Sequence, residues 1–136
     1  MTCTCGFKEI EHTADIAVEV WGDSIQVLFN QAAMALYAIA AVQMIDGIES
    51  SALQLDLKGT DIETLLVAFL SELLYYLDDG IFFTNMQITI TECSLNGELS
   101  GGRKALIGRE VKAITYHDLD IQLQDDIYRT RIVFDV

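Results

Sequence analysis

Three short segments carry the side chains that could do chemistry: Glu11-His12-Thr13-Ala14-Asp15, Val111-Lys112-Ala113-Ile114-Thr115-Tyr116-His117 and Arg131-Ile132-Val133-Phe134-Asp135-Val136. The first sets an imidazole, a hydroxyl and a carboxylate just before an apolar strand, and polar groups at a strand mouth can act as ligands. The same residues serve equally well in a turn, with Thr13 or Asp15 bonding its own backbone. In the last segment, alternation puts Ile132 and Phe134 on a buried face and Asp135 on the other, beside the terminal carboxylate of Val136. Two oxygen donors side by side suit a hard divalent cation that keeps water or accepts a partner's group. A solvated strand end looks the same. In the middle segment Lys112, Ile114 and Tyr116 share a face and His117 follows. A lysine and a histidine there could contact a phosphate or an acidic partner, or simply face solvent.

The usual routes to an enzyme are closed. The chain has no Gly-rich phosphate loop, nucleophile elbow, HExxH helix or CxxC pair. Cys3, Cys5 and Cys93 are an odd number without a secretory signal, so they are expected to be reduced thiols rather than a disulfide framework. A net charge of −13 opposes strong direct nucleic-acid binding, which depends on Lys and Arg displacing counterions from phosphates. The charge is uneven: residues 1–100 hold 2 basic and 15 acidic side chains, and residues 101–136 hold 6 of each. Any basic spot facing a phosphate or a partner is therefore expected from the last third.

The elements that must position these groups read clearly. With 136 residues and 51% hydrophobic content, the chain can bury one core, and it is expected to form a single domain over 1–136. Polar residues break every apolar stretch well before the roughly 18 needed to span a bilayer, so a soluble cytoplasmic protein is expected. Asp23 and Gln26 resemble a capping box before the helical stripe Ile25, Leu28, Phe29, Ala32, Leu36, Ile39, which predicts a helix over about 24–41. Thr60 and Glu63 form another before Ile62, Leu65, Leu66, Phe69, Leu73, Tyr76 and Leu77. Gly80 follows where a left-handed cap is needed, giving a helix over roughly 61–79.

Elsewhere the period is two: Ile16, Val18, Val20; Leu53, Leu55, Leu57; Met86, Ile88, Ile90; Leu119, Ile121, Leu123; and Tyr128, Thr130, Ile132, Phe134. Asn96-Gly97 reads as a hairpin turn after the third of these strands, and Asp125-Asp126 as a turn before the last. Strands outnumber helices and do not alternate with them. The expected fold is α+β, in two layers, with two amphipathic helices packed on a mostly antiparallel or mixed sheet.

Taken together, Glu11-His12-Thr13-Ala14-Asp15, the run LLVAFLSELLYYLD beginning at Leu65, Glu110-Val-Lys-Ala-Ile-Thr-Tyr-His117 and the closing Val133-Phe134-Asp135-Val136 resemble the archease signature, in that family's order and over nearly the whole chain. One departure is the connection Ser100-Gly-Gly-Arg-Lys-Ala-Leu-Ile-Gly108, which is shorter and more apolar than the family's usual polar one.

The resemblance implies a small metal-binding accessory protein with no catalysis of its own. Its implied partner is the GTP- and Mn²⁺-dependent tRNA-splicing RNA ligase, which joins 3′-phosphate or cyclic-phosphate ends to 5′-hydroxyl ends. The accessory protein promotes guanylylation of the ligase histidine and permits multiple turnover. Carried over by residue, the implied metal ligands are Asp15, Asp135 and Val136, and the implied functional surface includes His12, Lys112 and His117. The implied cofactor is a divalent metal: Ca²⁺ is the ion expected in a crystal, with Mg²⁺ or Mn²⁺ as alternatives. A second reading is a chaperone that keeps a tRNA methyltransferase soluble and shapes its specificity, which would need no metal. A third is a metal-dependent hydrolase with His12 or His117 as base, and the missing nucleophile motif counts against it.

Overall fold

Two helices and eleven strands form from the residues that the computed structural model describes, 4–10, 15–45, 52–101 and 103–136. Helix α1 spans Ile25–Ile39, and its N-cap is Ser24, whose side chain accepts from the Val27 N–H at 3.1 Å. The cap thus falls one residue beyond Asp23, because Ser24 is an equally competent capping residue and holds the extended backbone a cap requires.

Helix α2 spans Ile62–Asp78 and is capped by Asp61 rather than Thr60. Asp61 Oδ1 accepts from the Thr64 N–H at 2.7 Å. Glu63 does not close a capping box; its carboxylate accepts from the Ile121 N–H at 2.9 Å. Gly80 follows the helix with φ +77°, the left-handed position expected of it. No helix among the described residues is long and apolar enough to cross a membrane.

The strands form three sheets, and every pairing is antiparallel. The largest has the order β1 (Gly6–Ile10), β2 (Ile16–Gly22), β11 (Ile127–Asp135), β10 (Gln122–Gln124), and β9 (Ala113–Thr115) also pairs with β11. Long β11 shares one edge between β10, at its beginning, and β9, at its end. A second sheet joins β3 (Val42–Met44), β8 (Arg103–Ile107) and β5 (Ile81–Phe82), and a third joins β4 (Leu53–Lys58), β7 (Ser94–Ser100) and β6 (Asn85–Thr91). The abbreviated 100–108 connection is therefore largely strand β8.

Two sequence expectations need correction. Asn96-Gly97 lies inside β7, and the hairpin between β6 and β7 turns instead at Glu92-Cys93, between the paired Thr91 and Ser94, with Glu92 at φ +56°. Glycine at 97 answers a close approach: a Cβ there would come 2.8 Å from Ile88 Cα on β6. The strand read from Leu119, Ile121 and Leu123 shrinks to β10, because Leu119 is buried in a turn while Leu123 is 59% exposed. Asp125 and Asp126, at φ +53° and +61°, form the expected turn into β11.

The alternation of β2 and β11 builds the core beneath the helices. Val18, Val20, Ile132 and Phe134 are fully buried, and α1 packs on β1, β2 and β11. Helix α2 packs on α1, β4, β5 and β9, and the Phe29 and Phe69 rings meet with centroids 5.6 Å apart. Among the described residues no helix covers the opposite face of the largest sheet, and the candidate site lies on that face.

Candidate functional site

Pairing between β2 and β11 brings together the chain's two distant acids. Ile16 and Phe134 are register partners; Asp15 immediately precedes the first and Asp135 immediately follows the second. The two aspartates are therefore the next positions outward on adjacent antiparallel strands, and both are half-buried. Since Phe134 points into the core, period-two alternation turns Asp135 to the open face. On the other side of β11, β9 sets Ala113 opposite Asp135 and Thr115 opposite Val133. The Lys112 N–H donates to the Asp135 carbonyl at 2.7 Å, so Lys112 stands next to the acid by main-chain bonding, with its own side chain exposed.

A cavity of about 280 Å³ opens on this face, lined by Asp15, Thr115, His117, Asp118, Arg131 and Val133. His117 Nε2 lies 3.2 Å from Asp118 Oδ2, with both side chains open to solvent. Asp118 has φ +61°, which forms the tip of the loop after β9.

This loop is stapled to the start of α2. Tyr116 Oη donates to Asp61 Oδ2 at 3.1 Å, and Glu63 receives the Ile121 N–H. Between these points the Leu119 side chain is buried, and the buried Thr130 hydroxyl donates to the Asp120 carbonyl at 2.9 Å. The Asp61 carboxyl is held below its usual range, first by the Thr64 hydroxyl and then by the Thr64 N–H. The Tyr116 hydroxyl adds to this effect and desolvation opposes it.

The donor chemistry of Asp15 and Asp135 fits a hard divalent cation: two carboxylates on adjacent strands, with the main-chain oxygen of Val136 as the next acceptor along β11. Among the described residues, no three His, Cys, Asp or Glu side chains gather as a metal site. From the described residues, a cation held here would have two side-chain ligands, with main chain, water or a partner able to fill further positions.

Of the residues singled out in the sequence, Asp15 and His117 share the cavity, while Asp135 and Lys112 adjoin it along β11. Val136 is half-buried and packs against the core, and His12 lies outside the described residues. Cys5 and Cys93 are free thiols, and Cys3 also lies outside the described residues. Sequence reasoning missed Arg131, Thr115 and Asp118 in the cavity wall, and Asp61 and Glu63 beneath the loop. Arg131 was findable, because it stands four residues before Asp135 on the same strand and so shares its face. Asp61 and Glu63 left no signal beyond helix capping.

The comparisons with known proteins agree with this architecture. The family model described as the archease protein family matches residues 7–136. The protein archease of Pyrococcus furiosus is 34% identical over 96% of this chain and 98% of its own length, and that of Archaeoglobus fulgidus is 34% identical over the same shares. The crystal structure of an archease from Thermotoga maritima, described as a possible chaperone, aligns with a TM-score of 0.69 at 29% identity, covering 95% of this chain and 96% of that one. By the family model and these relatives, the chain belongs to the archease family.

Proposed function

We propose that this chain is a cytoplasmic accessory protein of the GTP- and Mn²⁺-dependent tRNA-splicing RNA ligase, raising ligase guanylylation and permitting multiple turnover without covalent catalysis of its own. The observation that carries this reading is the adjacency of Asp15 and Asp135 beyond the Ile16–Phe134 pair, with Asp15 in the wall of a cavity that also presents His117 and Arg131 and Asp135 adjoining it. Family membership supports it, and on this reading Asp15, Asp135 and Val136 are the metal ligands and His12, Lys112 and His117 belong to the functional surface.

Asp15 and Asp135, with the Val136 main-chain oxygen, would hold a divalent cation: Ca²⁺, Mg²⁺ or Mn²⁺. The cation, when bound, would neutralise phosphate oxygens at the ligase centre. The chain's own part is positioning. The two strands fix the carboxylates, the Lys112 main chain ties the end of β11 to β9, and the Asp61 and Glu63 contacts fix the loop that offers His117. Preorganised groups of this kind lower a phosphoryl-transfer barrier because they need no rearrangement as charge develops.

The test is a ligation assay with the cognate ligase, GTP, Mn²⁺ and a 3′-phosphate RNA, with this protein at substoichiometric amounts. Stimulation of turnover is expected. Failure to stimulate would overturn the reading and favour a chaperone of a tRNA methyltransferase.

A further inference from the structure

Arg131 lies between two depressions on the open sheet face. One is the cavity with Asp15, Thr115 and His117; the other, of about 230 Å³, is lined by Glu19, Asp120, Gln122, Gln124, Arg129 and Thr130. Most of the charges around it are engaged. Arg129 Nη1 meets Glu19 Oε1 at 2.7 Å, and its guanidinium lies 5.6 Å from the centre of the Trp21 ring. Asp120 Oδ2 accepts from Gln122 Nε2 at 2.9 Å, and Asp118 pairs with His117. Arg131 is cross-strand partner to Glu19, yet Glu19 is taken by Arg129, and among the described residues Arg131 has no ion-pair partner. In a chain of net charge −13, an exposed guanidinium without a counter-ion is conspicuous.

We infer that Arg131, with the Thr115 hydroxyl and the His117 imidazole, forms a phosphoryl-binding site that takes a terminal phosphomonoester together with a divalent cation on Asp15 and Asp135. Three donors of different kinds line one cavity, and a guanidinium fork matches phosphate oxygens in pairs. The cation requirement follows from the same cavity. Asp15 and Asp118 would repel a bare dianion, and a cation on the acidic side offsets them. Phosphate and cation should therefore bind with positive, reciprocal coupling. This inference deepens the accessory reading by naming the group its site recognises, and it rests on the same acidic pair.

The test uses the isolated full chain: a ³¹P NMR titration with methyl phosphate, with and without Mg²⁺, and acetate as the competing anion. Saturable methyl phosphate binding is expected with Mg²⁺, weakened about tenfold or more without it, and acetate should not compete. Arg131→Gln should weaken it about tenfold or more, the loss expected of a hydrogen bond to a charged group, with Arg131→Lys intermediate. Thr115→Val should weaken it as well. Mn²⁺ affinity, read by water-proton relaxation without phosphate, should be unchanged or higher in Arg131→Gln, because a positive neighbour is removed; a merely misfolded variant would lose it. Absence of saturable binding with Mg²⁺, equal competition by acetate, or undiminished binding in Arg131→Gln would overturn the inference. The ligase is absent from this titration, so its failure and failure of the accessory role are separately visible.

Discussion

The Tyr116 hydroxyl donates to Asp61 Oδ2 at 3.1 Å while Asp61 Oδ1 caps helix α2 through the Thr64 N–H at 2.7 Å. One carboxylate thus joins a helix start to the loop that carries His117, and Glu63 repeats the connection at Ile121. If this double contact fixes the loop, Glu63→Ala and Tyr116→Phe should each speed amide hydrogen exchange across Asp118–Ile121. The change should be roughly fivefold or more, as expected for losing about 1 kcal/mol of hydrogen bonding, with α1 amides unchanged.

Asp61 also predicts a pH dependence. Its folded carboxyl titrates below the ordinary value of 3.8, mainly because the Thr64 hydroxyl and N–H favour the ionised form. A depressed folded pKa contributes stability that is complete above the unfolded value and is lost as the pH falls through the folded one. The stability gap between wild type and Asp61→Ala, measured by urea unfolding, should be constant at neutral pH and narrow as the pH drops below 3.8.

At the alkaline end the sensitive group is Tyr37. Burial pushes its phenol from 10.0 up to about 12, although accepting the Phe83 N–H at 3.1 Å opposes the shift. A raised folded pKa gives stability present below the unfolded value of 10.0 and lost as the pH climbs toward about 12. Absorbance at the tyrosinate band should therefore show one late-titrating tyrosine. In Tyr37→Phe this late step should vanish, and the protein should unfold about 1–2 kcal/mol more easily at neutral pH, because the Phe83 N–H loses its acceptor.

Inside β7, Gly97→Ala should cost about 1–3 kcal/mol in urea unfolding, since the new Cβ meets Ile88 Cα at 2.8 Å. Neighbouring Asn96→Ala, at an exposed position, should be within about 0.5 kcal/mol of wild type. Were residues 96 and 97 a turn, both substitutions would be costly.

That pair of residues shows where local reading stops. Glycine marks either a turn or a close backbone approach, and only the Ile88 contact on the facing strand decides which. Capping was legible to within one residue, because Asp23 and Ser24, or Thr60 and Asp61, are all competent caps and backbone geometry selects between them. Alternation in β2 and β11 correctly separated Val18, Val20, Ile132 and Phe134 from the open face. Register between those strands, set by pairing across more than a hundred residues, is what aligns Asp15 with Asp135. No local pattern encodes that alignment, which is why the acidic pair came from family resemblance. The staple of Asp61 and Glu63 onto residues 116–121 is equally long-range.

Guanylylation of the cognate ligase with GTP and Mn²⁺ tests the central claim most directly, comparing wild type with Asp15→Ala and Asp135→Asn after each variant is shown to keep its melting temperature. The account predicts that wild type speeds formation of the ligase–guanylate adduct and that either substitution lowers the stimulation about tenfold or more, the scale on which a lost electrostatic contact slows phosphoryl transfer. Full stimulation by both variants would contradict it.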